Sequence, residues 1–440
     1  MAAINTGDTA FLLFSTALVF FMTPGLALFY GGMGRQKNVL NTIMSSFVIC
    51  GIGSLLWVIV GYSLSFGSNS VSFGDGIGGV LGNFTYAFFQ NVGWEAGPYS
   101  ATIPHNLFAA FQMMFAIITP ALITGAVVER MKFSALVAFT VLWSFIVYYP
   151  LAHMVWGADG VLLKLGAVDF AGGNVVHISS GISALVLALF LGKRKGQGEK
   201  IFHPHNIPMV FIGAAVLWFG WFGFNGGSAL AANGLAVHAF MTTNTAAACG
   251  LLSWMIVEKI FTKKATSMGA MTGAVVGLVA ITPGAGFVPL WASIIIGLLV
   301  SPICFFFISV IKKKFGYDDA LDAFGCHGIG GIWGGIAVGL FADRGINSFA
   351  QWNGLFLGGG ATLLIKQLIA IVITIAVAAV GTTVIVLVIK MFTKLRVTED
   401  EEVEGLDLAI HGEYAYSRMG KVDLEKAPHG ELVYSQYTEE

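Results

Sequence analysis

The sequence predicts an all-α integral membrane protein: eleven transmembrane helices, built as two inverted five-helix repeats and a final long helix. Three observations carry this expectation. Of 440 residues 56% are hydrophobic and 11% charged, and the mean hydropathy of +0.80 exceeds what a water-soluble core absorbs without exposing large apolar patches. Apolar runs close to the ~20 residues a helix needs to cross a bilayer occur eleven times. Lys and Arg collect on alternate connections between those runs.

In order, the runs cover 8–32, 40–66, 105–128, 133–155, 173–191, 207–226, 237–258, 267–282, 289–311, 323–342 and 361–390. The eighth is short, and the sixth and tenth are rich in glycine. One set of connections holds Arg35 and Lys37, Arg130 and Lys132, Lys193 to Lys195 and Lys200, Lys259, Lys263 and Lys264, and Lys312 to Lys314, followed by Lys390, Lys394 and Arg396. The opposite set carries Lys164 and Arg344, and the connection from Gly67 to Pro104 has neither residue type. Positive charge is retained in the cytoplasm, so the expectation is an external N-terminus, a membrane domain over 1–390 and a cytoplasmic tail over 391–440. Met1 to Ala10 lacks the basic leader of a cleavable signal peptide, which makes the first apolar run the first span. The acidic TEDEEVEG run of the tail reads as solvated surface.

The division into five, five and one follows from the first and sixth spans. The first ends FYGGMG (Phe29 to Gly34) and the sixth FNGGS (Phe224 to Ser228) on opposite sides. An odd number of spans per half inverts the second half, as in inverted-repeat transporters. Glycines at spacings of three and four, such as Gly325, Gly328, Gly331 and Gly335, let helix backbones approach closely.

Composition narrows the chemistry. A net charge of −1 leaves no basic face for nucleic acid. Cys50, Cys249, Cys304 and Cys326 fall in apolar stretches without metal-ligand spacing and read as packing residues. No nucleophile, metal cluster or phosphate loop stands out, so neither an enzyme nor a cofactor is expected.

Two histidines lie inside predicted spans. His177 sits in GNVVHISSGISALVLALFL and His327 in the tenth run, one in each half. An ionisable group within a bilayer is a functional candidate by default, the alternative being a neutral ring that bonds a carbonyl and joins helices. Each lies about one turn into its helix, where the positive end of the macrodipole favours a neutral ring. Each also follows an acid and small residues: Asp169 in DFAGGNVVH; Asp318, Asp319 and Asp322 in DDALDAFGCH. Because the two spans run in opposite directions, helices starting at the membrane surface would hold these rings only about 6 Å deep and far apart. They meet only if the leaders DFAGG and LDAFG dip inward as non-helical chain, which is allowed where protein or a cavity covers it.

Aromatic residues gather near the predicted external ends: Phe111 and Phe115, one helical turn apart in FQMMF, Trp156 in HMVWG, and Trp221, Phe222 and Phe224 in GWFGFNGGS. Ring faces hold a partly dehydrated cation for about 0.5–2 kcal/mol each, although an interfacial aromatic belt has the same composition. No acidic residue lies deep in a span to neutralise a permeating charge.

At these residues the chain resembles the ammonium transporter family, its Amt/Mep branch more closely than the Rh proteins. The resemblance runs through GLALFYGGMGRQKNVLN, FAIITPALITGAVVERMKFSAL, PLAHMVWG, DFAGGNVVHISSGISALV, PHNIPMVFIGAAVLWFGWFGFNGGS, ITPGAGFV, DDALDAFGCHGIGGIWGG and EGLDLAIHGEYAY. It implies a homotrimer with one pore per subunit. It also implies an external ammonium site at Trp156, Phe115 and Ser228, with Phe111 and the Ala171 carbonyl nearby, organised by Asp169, an acid often given a part in deprotonation. Phe115 and Phe224 would be stacked gate rings. His177 and His327 would be a hydrogen-bonded pair in an apolar pore, with Trp221 beside them and Phe29 at the lower end. A PII-type signalling protein is the implied partner of the cytoplasmic tail.

The physical logic agrees with that implication. Ammonium and potassium match in size and charge, but only ammonium donates hydrogen bonds and can lose a proton. A narrow apolar pore imposes the full desolvation penalty on a permanent ion and little on ammonia. The expected sequence is recruitment as ammonium, deprotonation near Asp169 and passage of ammonia between the histidines, with separate proton transfer or none. An ammonium sensor signalling through the tail is the alternative. An ion-coupled carrier would show a sodium site of carboxylates and unwound carbonyls, and none is apparent.

Overall fold

The computed structural model describes residues 4–68, 79–198 and 202–416; the SRMGKVDLEKAPHGELVYSQYTEE stretch lies outside these. Among the described residues ten helical stretches are long and apolar enough to cross a membrane, with an eleventh, shorter apolar helix. In chain order they are α1 Thr6–Met33, α2 Gln36–Phe66, α3 His105–Val127, α4 Phe133–Leu165, α5 Gly173–Leu191, α6 Ile207–Gly227, α7 Gly234–Thr262, α8 Ser267–Ile281, α9 Leu290–Phe315, α10 Phe324–Phe341 and α11 Thr362–Phe392. The limits follow the apolar runs closely. The main difference is α4, which continues through a turn at Gly157; α8 is short, as its run is.

Local chemistry sets several starts. Asn5 accepts from the Asp8 N–H at the head of α1, Asn206 from Met209 ahead of α6, Asn233 from Leu235 and Ala236 ahead of α7, and Thr266 from Gly269 ahead of α8. Each satisfies amides the helix itself leaves unpaired. Outward-facing residues such as Phe14, Leu55, Val237 and Val372 are 60%, 63%, 65% and 64% exposed. An apolar surface that broad fits lipid, not water.

Glycine permits two close helix contacts that bear on the site. α1 and α6 pack antiparallel, so that a methyl group on Gly213 would lie 2.3 Å from the Phe29 nitrogen and one on Gly25 2.5 Å from Val216. α5 and α10 touch where a methyl on Gly181 would lie 2.1 Å from the Gly328 nitrogen. α5 ends beside Arg194, which bonds Asp318 at the start of the segment leading into α10, so the two run in opposite directions.

Beyond α11, Arg396 pairs with Met131 across a short bridge, and two short helices, α12 Glu399–Glu404 and α13 Leu406–His411, fold back under the bundle. This tail face also carries Arg35, Lys37, Arg130, Arg194 and Lys195.

Candidate functional site

His177 and His327 meet. Their Nδ1 atoms lie 3.3 Å apart and their rings are nearly parallel, 5.4 Å between centroids. Such a contact holds one proton, so one Nδ1 donates and the other accepts. The Nε2 of His177 is buried with no hydrogen-bond partner. Both rings line a narrow lumen whose other walls include Met22, Leu26, Ile118, Leu217 and Val275. Trp221 and Phe224 stack on His177 at 5.5 and 6.2 Å, and the Trp221 indole is fixed by a 2.9 Å bond to the Thr282 hydroxyl. Phe29 and His327 line both this lumen and a wider cavity opening toward the tail face.

The leaders explain the meeting. Residues 166–172 precede α5 as non-helical chain, and α5 then opens with a wide turn over Gly173–Ile178. Asp169 Oδ1 accepts from the Gly172 and Gly173 amides at 2.8 and 2.7 Å, and Oδ2 from Asn174 at 2.7 Å. Gly172 has φ 127°, which disfavours any side chain. The second leader repeats the device: Asp319 accepts from Ala323 and Phe324 at 3.0 and 2.8 Å, and α10 opens with a wide turn over Phe324–Gly328. Of the three acids in DDALDAFGCH, Asp319 therefore caps the histidine-bearing turn. Asp322 pairs with Lys312 at 2.6 Å, and Asp318 pairs with Arg194.

Above the lumen, Phe115 contacts Phe224 at 4.4 Å between centroids and meets Trp156 edge-on at 5.9 Å. Both phenylalanines are only 1% exposed, and the packed pair lies between Trp156, which Phe115 meets, and His177, on which Phe224 stacks. Trp156 Nε1 donates to the Asp169 carbonyl at 3.0 Å. The Ser228 hydroxyl donates to the Phe224 carbonyl at 2.8 Å, which leaves its oxygen lone pairs free to accept. Ala171 is buried within the first leader, and Phe111 packs behind Phe115 at 5.0 Å, against Gly227, without reaching the lumen.

The histidines near span ends are otherwise engaged. His105 bonds Tyr62 at 2.6 Å, His153 donates to Ser65 and His238 to Val288. Sequence reasoning missed the supports of the leaders. Gln367 of α11 brackets Val168, accepting from its N–H and donating to its carbonyl, both at 2.9 Å. On the tail face, Arg194 donates three bonds to Asp318, of 2.8, 2.9 and 2.9 Å, and one of 3.1 Å to Glu129. Burial would raise the Asp318 carboxyl, but the Arg194 hydrogen bonds and charge outweigh it and hold it below the ordinary carboxylate range. A buried glutamine in an apolar span was the available signal for Gln367; for Arg194, nothing singles it out from its basic neighbours.

The chain is similar in sequence and fold to known proteins. The family model described as the Ammonium Transporter Family matches residues 10–416. An ammonium transporter of Bacillus subtilis is 54% identical over 413 residues, covering 94% of this chain and 99% of its own. The crystal structure of Saccharomyces cerevisiae Mep2 superposes with a TM-score of 0.82 at 35% identity, over 90% of this chain and 88% of that one. A structure titled Sensor Amt Protein does so with a TM-score of 0.83 at 29% identity, over 92% and 98%. With the family model spanning the membrane helices and the first part of the tail, and a relative matched over nearly its full length, the chain belongs to the ammonium transporter family.

Proposed function

We propose that this protein carries ammonium across a membrane by binding the cation outside, releasing its proton, and passing ammonia through the lumen between His177 and His327. The observation that carries the reading is the lumen itself: apolar walls, closed above by Phe115 and Phe224, with a histidine pair as its main polar feature. A permanent ion entering it would lose its hydration with few dipoles in exchange, a penalty of several kcal/mol or more. Ammonia would gain an acceptor or a donor from the imidazoles instead.

The outer site is built for a donor cation. Ser228 offers lone pairs because its own hydrogen is already committed, and Trp156 and Phe115 offer ring faces. Asp169, with three amides on its carboxylate, sets the position of the leader and, through its carbonyl, that of the Trp156 indole. In this reading, the proton leaves near the Phe115 and Phe224 rings, and the hydrogen-bonded histidines give it a route.

The remaining assignments belong to the same proposal. The tail face is cytoplasmic, the N-terminus external, α8 counts as the eleventh span, the five-and-five inversion holds, and the working unit is a trimer with a pore in each subunit. The docked tail offers a surface for a PII-type signalling protein. A sensor role is the second reading, supported by likeness to the sensor-named structure and by the extent of tail docking. Growth of a transporter-deficient yeast on low ammonium separates them: growth supports transport, and failure despite membrane expression supports sensing.

The deciding experiment is ammonium uptake by proteoliposomes, compared with methylammonium and potassium, with current and internal pH recorded together. Ammonium flux with no potassium flux is expected. Equal potassium flux, or no ammonium flux, sinks the proposal.

A further inference from the structure

The two leaders hang on different parts of the bundle. Beyond Asp318, the Asp319 leader is tied to α3: the Ala320 and Leu321 amides donate to the Ala126 and Gly125 carbonyls at 3.3 and 3.0 Å. The outer end of the Asp169 leader is tied to the final span, α11. Two consecutive residues make that contact, and both are polar groups inside an apolar span, where a group without a partner is costly. Lys366 Nζ donates to the Leu165 carbonyl at 2.6 Å and stands over the Trp352 ring at 4.5 Å. Trp352 in turn packs on Gly166, where a methyl group would lie 2.6 Å from the ring. Gln367, fully buried, accepts from the Val168 N–H and donates to its carbonyl.

A cavity of about 260 Å³ borders Gly166, Ala167 and Val168. Packing therefore encloses this stretch incompletely, and the hydrogen bonds from α11 set its height. Asp169 comes next, and its carbonyl takes the Trp156 indole N–H at 3.0 Å. The position of that carbonyl fixes the angle of the Trp156 ring. The inner end has ties of its own: the Asp169 carboxylate caps the turn that seats His177, and the Phe170 amide donates to the Pro283 carbonyl at 3.0 Å. Released from α11, residues 165–168 shift while the seat of His177 stays.

We propose that Lys366 and Gln367 are positioning residues for the outer cation site, holding the Asp169 carbonyl at the height that turns the Trp156 ring face to ammonium without touching the cation themselves. The inference rests on the reading of Trp156 as part of that site.

The test uses the full-length protein in proteoliposomes, with half-saturation and maximal flux for ammonium measured separately. Gln367→Leu is expected to raise half-saturation about threefold, no more than loss of the Trp156 ring does, with maximal flux little changed. Combined with Trp156→Leu it should add nothing, because both act through one ring, whereas combined with Ser228→Ala the two factors should multiply. Thr382→Val is the control. It too takes a buried bond from α11, the one to the Ser183 hydroxyl at 2.8 Å, but about 22 Å farther along the helix, and it should leave half-saturation unchanged.

An unchanged half-saturation in Gln367→Leu, a loss confined to maximal flux, an effect that multiplies with Trp156→Leu, or an equal shift in Thr382→Val overturns the proposal. Should Gln367→Leu fail to fold, Lys366→Met decides in the same scheme: a raised half-saturation that Trp156→Leu absorbs supports it, and an unchanged one overturns it. No ammonium uptake by the unaltered protein, or no effect of Trp156→Leu on half-saturation, overturns the functional reading and this inference with it. Uptake that depends on Trp156 but not on Gln367 overturns this inference only.

Discussion

His177 and His327 stand 150 positions apart in the chain and share a 3.3 Å Nδ1 to Nδ1 contact. Among the described residues each ring is the other's only hydrogen-bond partner through Nδ1, and the Nε2 of His177 has none. If the pair relays the released proton, removing one ring breaks the relay without filling the lumen. His177→Ala should therefore abolish the ammonium-dependent current on solid-supported membranes, a fall of roughly 100-fold, while uncharged ammonia still crosses. A wild-type protein without such a current contradicts the relay.

Much of this pair was legible in the sequence. Two imidazoles in apolar runs, each eight residues after an acid, pointed to paired roles, and opposite span directions showed that straight helices could not bring them together. What closes the gap is backbone geometry: leaders that stay unwound and the wide turns at Gly173–Ile178 and Phe324–Gly328. Helical periodicity carries no signal for such turns, because the same residues would also suit an ordinary helix. The choice of Asp319 over Asp318 and Asp322 was equally hidden, since all three stand within reach in sequence and only the fold of the leader separates them.

In the proposed mechanism Ser228 and Trp156 meet the cation before any proton leaves. Loss of the Ser228 acceptor removes a hydrogen bond to a charged donor, worth about 1.5–3 kcal/mol, and Trp156→Leu removes a ring face worth about 0.5–2 kcal/mol. Ser228→Ala should raise the half-saturation concentration for ammonium about tenfold or more, and Trp156→Leu by a smaller factor. Maximal flux should change little in either. Uptake measured over a range of ammonium concentrations checks both, and a loss confined to maximal flux would place these residues elsewhere on the path.

Phe224 touches Phe115 at 4.4 Å and stacks on His177 at 6.2 Å. Phe224→Ala opens the lumen to the outer side and admits water, which lowers the dehydration penalty that excludes permanent ions. Potassium currents absent from the unaltered protein should appear, with ammonium uptake retained. Potassium exclusion that survives the substitution would mean that selectivity lies below the rings.

Asp318 supplies a prediction with a defined pH sign. Its carboxyl is held below the ordinary carboxylate range by Arg194, so the stability of the ionised form is fully present above the ordinary carboxylate pKa. That stability is lost only as pH falls through the depressed value. Asp318→Asn leaves the Arg194 guanidinium with Glu129 as its one remaining carboxylate, and breaking a buried pair from one side costs about 3–5 kcal/mol. The thermal midpoint of the purified protein should fall by the same amount at about pH 6 and about pH 8, since the native carboxylate is ionised at both. A smaller fall at the lower pH would mean that Asp318 is already partly protonated there, and that the clamp joining the tail face to the second leader is weaker than its three hydrogen bonds imply.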